Sequence, residues 1–247
     1  MTLARVVVFG ATSAIAQAVA RRLAARGARL HLVGRDPEKL EAVRADLAAR
    51  GAAAVTTSIA DLDQLARHRA LVDEAERALG TIEAALVAQG TLSHQGECEA
   101  DFDRTAAEWL TNFIAPACLA AELANRMEAR GAGTIAVIGS VAGDRGRRTN
   151  YVYGTAKGAL AIFLQGLRGR LYAKGVKVVT LKPGFVDTPM TAAFRKGLLW
   201  ASPDQVAAGI VRAMERGTPE VYLPWFWRPI MFILRHVPER IFVKLKI

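Results

Sequence analysis

The stretch that decides the fold reads LARVVVFGATSAIAQAVARRLAARG, residues 3–27. Its run Arg5–Phe9 is rich in β-branched residues and predicts a buried strand. Gly10 then turns the chain, and helical periodicity follows from residue 14 to 26. A helix N-terminus placed directly after a strand offers free N–H groups and a partial positive charge to phosphate. The stretch therefore predicts a dinucleotide-phosphate site, with an ordinary tight turn as the alternative.

The rest of the chain repeats this alternation of strand and helix. Asp36-Pro37 and Ser202-Pro203 each combine a capping residue with a proline suited to the first helical position. Strict alternation predicts an α/β fold, a single doubly wound Rossmann-type parallel sheet with helices on both faces. We assign this domain to residues 1–223 and an apolar, basic C-terminal extension to residues 224–247. Strands are predicted at Arg5–Phe9, Arg29–Val33, Ala53–Ser58, Ile82–Val87, Thr134–Ile138, Val176–Leu181 and Glu220–Leu223.

Composition narrows the class of protein. The 247 residues suffice for one α/β domain, and 52% hydrophobic with 23% charged residues is ordinary for a globular protein. Cys98 and Cys118 alone make neither a disulfide framework nor a four-ligand zinc site, so we expect no metal and a reducing cytoplasm. The chain starts almost directly with a strand, without the pattern of a signal peptide. The net charge of +10 is spread over helices with acidic neighbours, which argues against nucleic acid as a partner.

Ser140, Tyr153 and Lys157 form a second informative pattern, within IAVIGSVAGDRGRRTNYVYGTAKGAL, residues 135–160. A phenol has a pKa of about 10, which is too high for efficient proton transfer at neutral pH. Lys157 follows Tyr153 by four residues, so on a helix its ammonium would lie on the same face and lower that pKa. Tyr151 lacks a lysine at this offset. Ser140 follows a predicted strand, where its hydroxyl can hydrogen-bond a carbonyl oxygen.

These patterns together resemble the short-chain dehydrogenase/reductase family, from Arg5 to about Leu223. The sequence departs from the family pattern at two places. Alanines replace two glycines of the phosphate turn, and the usual Asn-Asn-Ala-Gly reads Val-Ala-Gln-Gly at 87–90. Both departures touch cofactor contacts and leave the catalytic residues intact. The residues that carry the resemblance are Gly10, Ala14, Ala16, Asp61, Gly90, Asn112, Ser140, Tyr153, Lys157 and KPGFVDTP at 182–189.

The resemblance implies reduction of a carbonyl by a nicotinamide dinucleotide. NADPH would supply hydride to the carbonyl carbon, Tyr153 would protonate the developing alkoxide, and Ser140 would stabilise it. Lys157 would bind the nicotinamide ribose and tune the phenol. Asn112 lies in a long predicted helix that Pro116 should loosen. In the family this asparagine anchors a water chain that resupplies protons through the lysine.

The end of the second predicted strand indicates which dinucleotide binds. Gly34 occupies the place where an acidic residue would bind a ribose 2′-hydroxyl, and Arg35 follows it. A guanidinium there suits the 2′-phosphate of NADP(H), with a solvated loop arginine as the alternative. Asp36 is better explained as a helix cap, whereas Asp61 would bind the adenine amine, cap a helix, or do both. Thr188 would bind the carboxamide or make a local turn hydrogen bond. The cofactor is predicted to contact Gly10, Ser13, Ala14, Ile15, Arg35, Asp61, Leu62, Ala88, Gly90, Tyr153, Lys157, Pro183, Gly184, Val186 and Thr188.

Two further segments bear on the substrate. Arg145, Arg147 and Arg148 lie in a loop that borders the substrate cleft in this family, where they would bind a phosphate group; a solvated basic loop is the alternative. The C-terminal stretch YLPWFWRPIMFILRHVPERIFVKLKI, residues 222–247, combines aromatic and basic residues, as membrane-surface segments do. Its apolar run is shorter than the ~20 residues that span a bilayer. A lid over the cleft or a dimer interface is the alternative.

Within the family, three stretches are similar to the decaprenylphosphoryl-2-keto-ribose reductases: residues 147–160, 182–190 and 228–247. That likeness implies a lipid-linked (polyprenyl-phosphate) 2-ketopentose as substrate and a flavin-dependent oxidase as partner. It also implies a cytoplasmic homodimer or homotetramer that touches the inner face of the membrane. Two other interpretations stay open. One is a reductase of a small soluble ketone or a 3-oxoacyl-carrier protein, whose acidic carrier would suit the positive charge. The other is a non-catalytic NADPH-binding module.

Overall fold

The computed structural model describes residues 3–245. Residues 1–2 of the predicted domain and residues 246–247 of the predicted C-terminal extension lie outside the described residues. Nine strands are present in the described residues: β1 (Arg5–Phe9), β2 (Arg29–Gly34), β3 (Ala54–Ile59), β4 (Ala84–Val87), β5 (Gly133–Ile138), β6 (Val176–Pro183), β7 (Phe185–Val186), β8 (Trp200–Ala201) and β9 (Glu220–Leu223). Their helices are α1 (Ala14–Ala24), α2 (Pro37–Ala49), α3 (His68–Leu79), α4 (Gln95–Ala100), α5 (Phe102–Trp109), α6 (Ala115–Arg130), α7 (Tyr151–Leu171), α8 (Pro203–Arg216), α9 (Trp227–His236) and α10 (Glu239–Phe242).

Seven parallel strands form one sheet in the order β3-β2-β1-β4-β5-β6-β9, and β7 pairs with β8 separately. The predicted doubly wound fold is confirmed, and each of the seven predicted strands is present with ends displaced by two residues or fewer. The strand order reverses between β1 and β4. Open parallel sheets bind ligands at such a switch point, beyond the carboxyl ends of the strands.

The central strand β1 shows how the sequence builds two cores. Val6 and Val8 pack with Leu23 of α1 on one face of the sheet. Val7 and Phe9 pack on the other face with the helices α3, α6 and α7. Alternate side chains of a strand point to opposite faces, so a continuous apolar run serves both layers. Each such buried side chain contributes about 1.5–3 kcal/mol.

Two helix starts follow the predicted capping chemistry. Asp36 caps α2 by accepting a hydrogen bond from the Lys39 amide at 3.1 Å, and Pro37 is the first helical residue. Ser202 caps α8 and exchanges hydrogen bonds with Gln205 in a reciprocal capping box. A capping side chain of this kind contributes about 1 kcal/mol. These caps fix where α2 begins after β2 and where α8 begins after β8.

The C-terminal segment folds back onto the domain. Trp227 and Met231 of α9 are buried and pack against Val141, which follows β5. The opposite side of α9 is exposed. Within residues 3–245, every helix is either too short or too polar to cross a membrane.

Candidate active site

A cavity of about 280 Å³ opens at the carboxyl ends of the central strands. Ten of the predicted cofactor residues line it: Gly10, Ser13, Ala14, Ile15, Arg35, Asp61, Leu62, Ala88, Gly90 and Thr188. Gly34, Gln89 and Pro189, which lie in stretches named above, also line it, whereas the sequence did not single out Thr12, Ala60, Asp63, Thr91, Thr111 and Met190.

The turn between β1 and α1 is shaped for close approach of a ligand. Gly10 has φ +76°, and a Cβ there would lie 2.7 Å from the Gln89 amide nitrogen, so only glycine fits. Ser13 occupies the N-cap position of α1, and its hydroxyl makes no capping bond within the described residues. The N-terminal amides of α1 therefore face the cavity without a side-chain acceptor, as a pyrophosphate site requires.

The end of β2 presents a cation to the same cavity. Arg35 is exposed and lines the cavity, whereas the neighbouring Asp36 caps α2 and pairs with Lys39 at 2.9 Å. The interpretation of Asp36 as a cap is thus confirmed. Asp61 accepts a hydrogen bond from the Asp63 amide at 3.1 Å and caps no helix, since the following short helical turn begins after Gln64.

Asn112 and Lys157 meet beside Gly90. Asn112 is fully buried in a π-helical turn, residues 110–114, directly before the helix that contains Pro116. The loosened helix predicted at this proline is therefore present. A Cβ on Gly90 would lie 2.9 Å from Asn112 Oδ1 and 3.4 Å from Lys157 Nζ. Lys157 Nζ also donates a hydrogen bond to the Ile138 carbonyl at 3.2 Å.

Ser140 and Tyr153 complete this group. Ser140 follows β5, and its Oγ accepts a hydrogen bond from the Ala142 amide at 3.1 Å. Lys157 Nζ lies 5.8 Å from the centre of the Tyr153 ring. Burial raises the pKa of Tyr153 to about 12, although a hydrogen bond with Ser140 opposes the rise. This direction is opposite to the lowering expected from the ammonium, because loss of water dominates and the negative charge of Glu108 adds to the rise. Burial also lowers the pKa of Lys157 to about 8.

The arginine loop divides into three environments. Arg145 Nη1 donates to the carbonyls of Leu234, Arg235 and Val237 at 3.2, 3.0 and 2.7 Å, and its Nη2 pairs with Glu239 at 2.6 Å. These bonds clamp the end of α9, so a ligand phosphate would have to displace them. Arg147 and Arg148 differ from Arg145, because neither forms such hydrogen bonds within residues 3–245.

Arg147 keeps unused hydrogen-bonding capacity. Its Nε is buried without a partner among residues 3–245. Burial lowers the pKa of Arg147, and the charge of Asp144 opposes that effect. Arg148 is exposed. Of the three arginines predicted to bind substrate, Arg147 and Arg148 are therefore the two whose guanidinium groups form no ion pair within residues 3–245.

The segment after β6 lies beside the cavity. Gly184 packs against the Trp227 indole so closely that a Cβ would fall 1.9 Å from Nε1. Pro183 and Val186 flank it, and the Val186 carbonyl accepts a hydrogen bond from Thr191 Oγ1 at 2.6 Å. Thr188 lines the cavity and also caps the following short helical turn with Thr191. The local turn interaction considered for Thr188 is thus present.

Comparisons with known proteins identify the family. The family model for short chain dehydrogenases matches residues 4–198. The chain belongs to the short-chain dehydrogenase family. It is 40% identical over 236 residues to an "uncharacterized oxidoreductase" of Mycobacterium tuberculosis, covering 96% of this chain and 94% of that protein. It is 36% identical over 242 residues to one of Streptomyces coelicolor, covering 96% and 94%, and 30% identical over 226 residues to one of Myxococcus xanthus, covering 88% and 86%.

As a short-chain dehydrogenase, the chain is an oxidoreductase, and its family typically uses a nicotinamide cofactor. The residues present fit such a group. The Gly10 turn allows backbone approach, the amides of α1 face the cavity, and the Ser13 hydroxyl is available. Gly90 lies between this cavity and the pair of Asn112 and Lys157. This cavity and the pair of Asn112 and Lys157 therefore adjoin each other.

Sequence reasoning missed one buried acid of the site, Glu108. It accepts a hydrogen bond from Asn112 Nδ2 at 2.9 Å and from Thr91 Oγ1 at 2.8 Å. A signal for it existed, because Glu108 precedes Asn112 by four residues and shares its helix face. Thr91 gave no such signal, since it comes from a loop that only the fold brings near.

Proposed function

We propose that this short-chain dehydrogenase reduces a ketone with NADPH, and that its substrate is a lipid-linked polyprenyl-phosphate 2-ketopentose. The observation that carries the reductase assignment is the gathering of Ser140, Tyr153, Lys157 and Asn112 beside the dinucleotide cavity. The choice of NADP(H) rests on Arg35, which faces that cavity while the nearby Asp36 is used as a cap. The planar donors of a guanidinium match the oxygens of the 2′-phosphate that distinguishes NADPH from NADH.

The chain's own residues supply the proton chemistry. When bound, the reduced nicotinamide supplies the hydride. With a pKa of about 12, Tyr153 is protonated at neutral pH and can donate its proton to the alkoxide oxygen. The Ser140 hydroxyl donates a hydrogen bond to the same oxygen. Lys157, whose pKa is about 8, remains largely protonated at neutral pH and stabilises the phenolate that is left. Asn112 holds the water that reprotonates the site.

The lipid-linked substrate is supported by the surroundings of the cleft. Arg147 and Arg148 offer cationic donors for its phosphate, whereas Arg145 holds the C-terminal segment. The sequence likeness to the decaprenylphosphoryl-2-keto-ribose reductases supports the ketopentose and a flavin-dependent oxidase as the partner that makes it. The reduction would then be the second step of an epimerisation to the arabino sugar.

The proposal includes a cytoplasmic protein that touches the inner face of the membrane, and Trp225 and the exposed side of α9 support the membrane contact. Trp225, Phe232 and Ile233 are 77%, 64% and 64% exposed, and Arg228 and Arg235 are exposed beside them. Aromatic and aliphatic side chains flanked by arginine suit an anionic lipid surface. We expect sedimentation with phosphatidylglycerol vesicles and loss of it in the Phe232→Ser/Ile233→Ser variant.

A matched variant and a measurement of oligomeric state distinguish a membrane surface from an interface between two copies of the chain. The Ile162→Ser variant removes an apolar side chain that is 72% exposed on α7 and should keep vesicle binding. If Phe232→Ser/Ile233→Ser instead dissociates an oligomer and vesicles never bind, the exposed side of α9 joins copies of the chain. A homodimer or homotetramer is also part of the proposal, and size-exclusion chromatography measures it.

The substrate is tested with NADPH consumption. A polyprenyl-phosphate 2-ketopentose, generated in situ by a flavin-dependent oxidase, should be reduced faster than a short soluble ketone. Arg147→Glu should lose the lipid-phosphate activity and retain that on the soluble ketone. Equal losses on both substrates, or preference for a 3-oxoacyl-carrier protein, would favour the alternative, a reductase of a small soluble ketone or of a 3-oxoacyl-carrier protein. The net charge of +10 would suit an acidic carrier protein. Deleting the C-terminal extension is a poor test of the substrate, because it removes the buried Trp227 and Met231 and would destabilise the domain.

A further inference from the structure

A buried acid lies beneath the catalytic group and has no part in the chemistry described above. Glu108, in the last turn of α5, is only 3% exposed. Burying a carboxylate costs several kcal/mol unless hydrogen bonds compensate. Simple packing does not explain an acid at this position, since an apolar residue of similar size would avoid that cost.

The hydrogen bonds of Glu108 come from neutral groups. Its Oε2 accepts from Thr91 Oγ1 at 2.8 Å and from Ser93 Oγ at 2.6 Å, and its Oε1 accepts from the Ser93 amide at 3.4 Å and from Asn112 Nδ2 at 2.9 Å. No cation lies within ion-pair distance of it in residues 3–245. Its negative charge is therefore held in place without being neutralised.

These bonds determine which way the Asn112 amide points. The Nδ2 donates to Glu108 Oε1, to the Glu108 carbonyl at 3.2 Å and to Thr91 Oγ1 at 3.0 Å. The Oδ1 consequently faces the other way, where it accepts from the Thr91 amide at 3.3 Å and lies beside Gly90 together with Lys157 Nζ. A flipped amide would place its N–H groups beside that ammonium and its oxygen beside the carboxylate, and both contacts are unfavourable.

The charge of Glu108 also acts on the two titrating groups. It raises the pKa of Lys157, which burial lowers. It also raises the pKa of Tyr153, in the same direction as burial. Tyr153 is the titratable group beside Lys157, and Asp144, in the segment that packs on α7, has its carboxylate paired with Lys182 at 2.7 Å. Glu108 is thus the acid whose charge acts on both members of the pair.

We propose that Glu108 is a positioning residue of the reduction: it fixes the Asn112 amide and holds an unneutralised negative charge that favours the ammonium form of Lys157. This inference rests on the proposed carbonyl reduction for its kinetic consequence. Its structural consequence, the protonation of Lys157, exists without any substrate. The two are therefore measured separately.

The direct test is an NMR titration of ¹³C-lysine-labelled protein, with the Lys157 signal assigned by the Lys157→Arg variant. Glu108→Gln keeps the side chain's size and removes its charge, and should lower the pKa of Lys157 by about 1 unit. In steady-state kinetics, the same variant should lose about tenfold or more in kcat with little change in KM for NADPH. The alkaline limb of its pH–rate profile should move to lower pH, because the pKa values of both Lys157 and Tyr153 fall.

Glu108→Asp is the matched control, because it keeps the charge and shortens the reach to Asn112. Its kcat should fall, while the pKa of Lys157 and the alkaline limb stay near the wild-type position. NADPH fluorescence titration reports whether either variant keeps the cofactor site. An unchanged Lys157 pKa in Glu108→Gln, or wild-type kcat in both variants, would overturn the inference. If the pKa of Lys157 falls as expected in Glu108→Gln but the wild-type protein reduces no ketone, only the proposed function is refuted.

Discussion

The proposed use of NADP(H) rests on Arg35, so removal of this side chain tests the proposal directly. In Arg35→Ala, the 2′-phosphate of NADPH loses a charge-assisted, bidentate partner. Hydrogen bonds to charged groups contribute about 1.5–3 kcal/mol, so we expect the Kd for NADPH to rise about 10- to 150-fold. The Kd for NADH, which has no phosphate at that place, should change by less than about threefold.

Fluorescence titration of reduced dinucleotide measures both constants in the same sample. Arg29→Ala is the matched control, because Arg29 is an exposed arginine at the opposite end of the same strand, β2. It should leave both constants unchanged. Equal weakening of NADPH and NADH in Arg35→Ala, or no change in either, would refute the assignment of NADP(H).

Three further predictions follow from the site and its support. Gly10→Ala should abolish detectable dinucleotide binding, since a Cβ would lie 2.7 Å from the Gln89 amide; unchanged binding would show that the turn is not a ligand site. Trp227→Ala should cost about 3–5 kcal/mol in urea unfolding, whereas the exposed Trp225→Ala should cost less than about 0.5 kcal/mol. The ketone-reduction rate should be flat below pH 7 and fall as pH rises through about 8, where Lys157 loses its proton; a rate that rises across pH 8 would contradict this.

The sequence predicted the fold and the glycine turn after β1 well, because both are local. Alternating runs and capping residues such as Asp36 and Ser202 act within a few positions of themselves, and the structure follows them closely. The same locality explains why the predicted cofactor residues line one cavity. Strand ends of a parallel sheet must meet at one edge, so residues that follow strands, such as Gly10 and Arg35, gather there.

The features that the sequence did not predict depend on contacts between residues far apart in the chain. Arg145 is bonded to carbonyls about ninety positions away, and no local pattern shows that the C-terminal segment would use it. The pKa of Tyr153 was expected to fall because Lys157 is four residues away, but burial by distant elements reversed the direction. The role of Glu108 likewise depends on a loop that the fold brings to it.

The most direct measurement of the central claim is single-turnover oxidation of NADPH by a ketone in the Tyr153→Phe variant. Phenylalanine keeps the ring and removes the proton donor, so NADPH should bind with near-normal affinity while the hydride-transfer rate falls about 10²- to 10⁴-fold. Tyr151→Phe, on the first turn of the same helix, exposed and two residues away, should react at the wild-type rate. A Tyr153→Phe rate within about twofold of wild type would contradict the claim that this phenol is the acid.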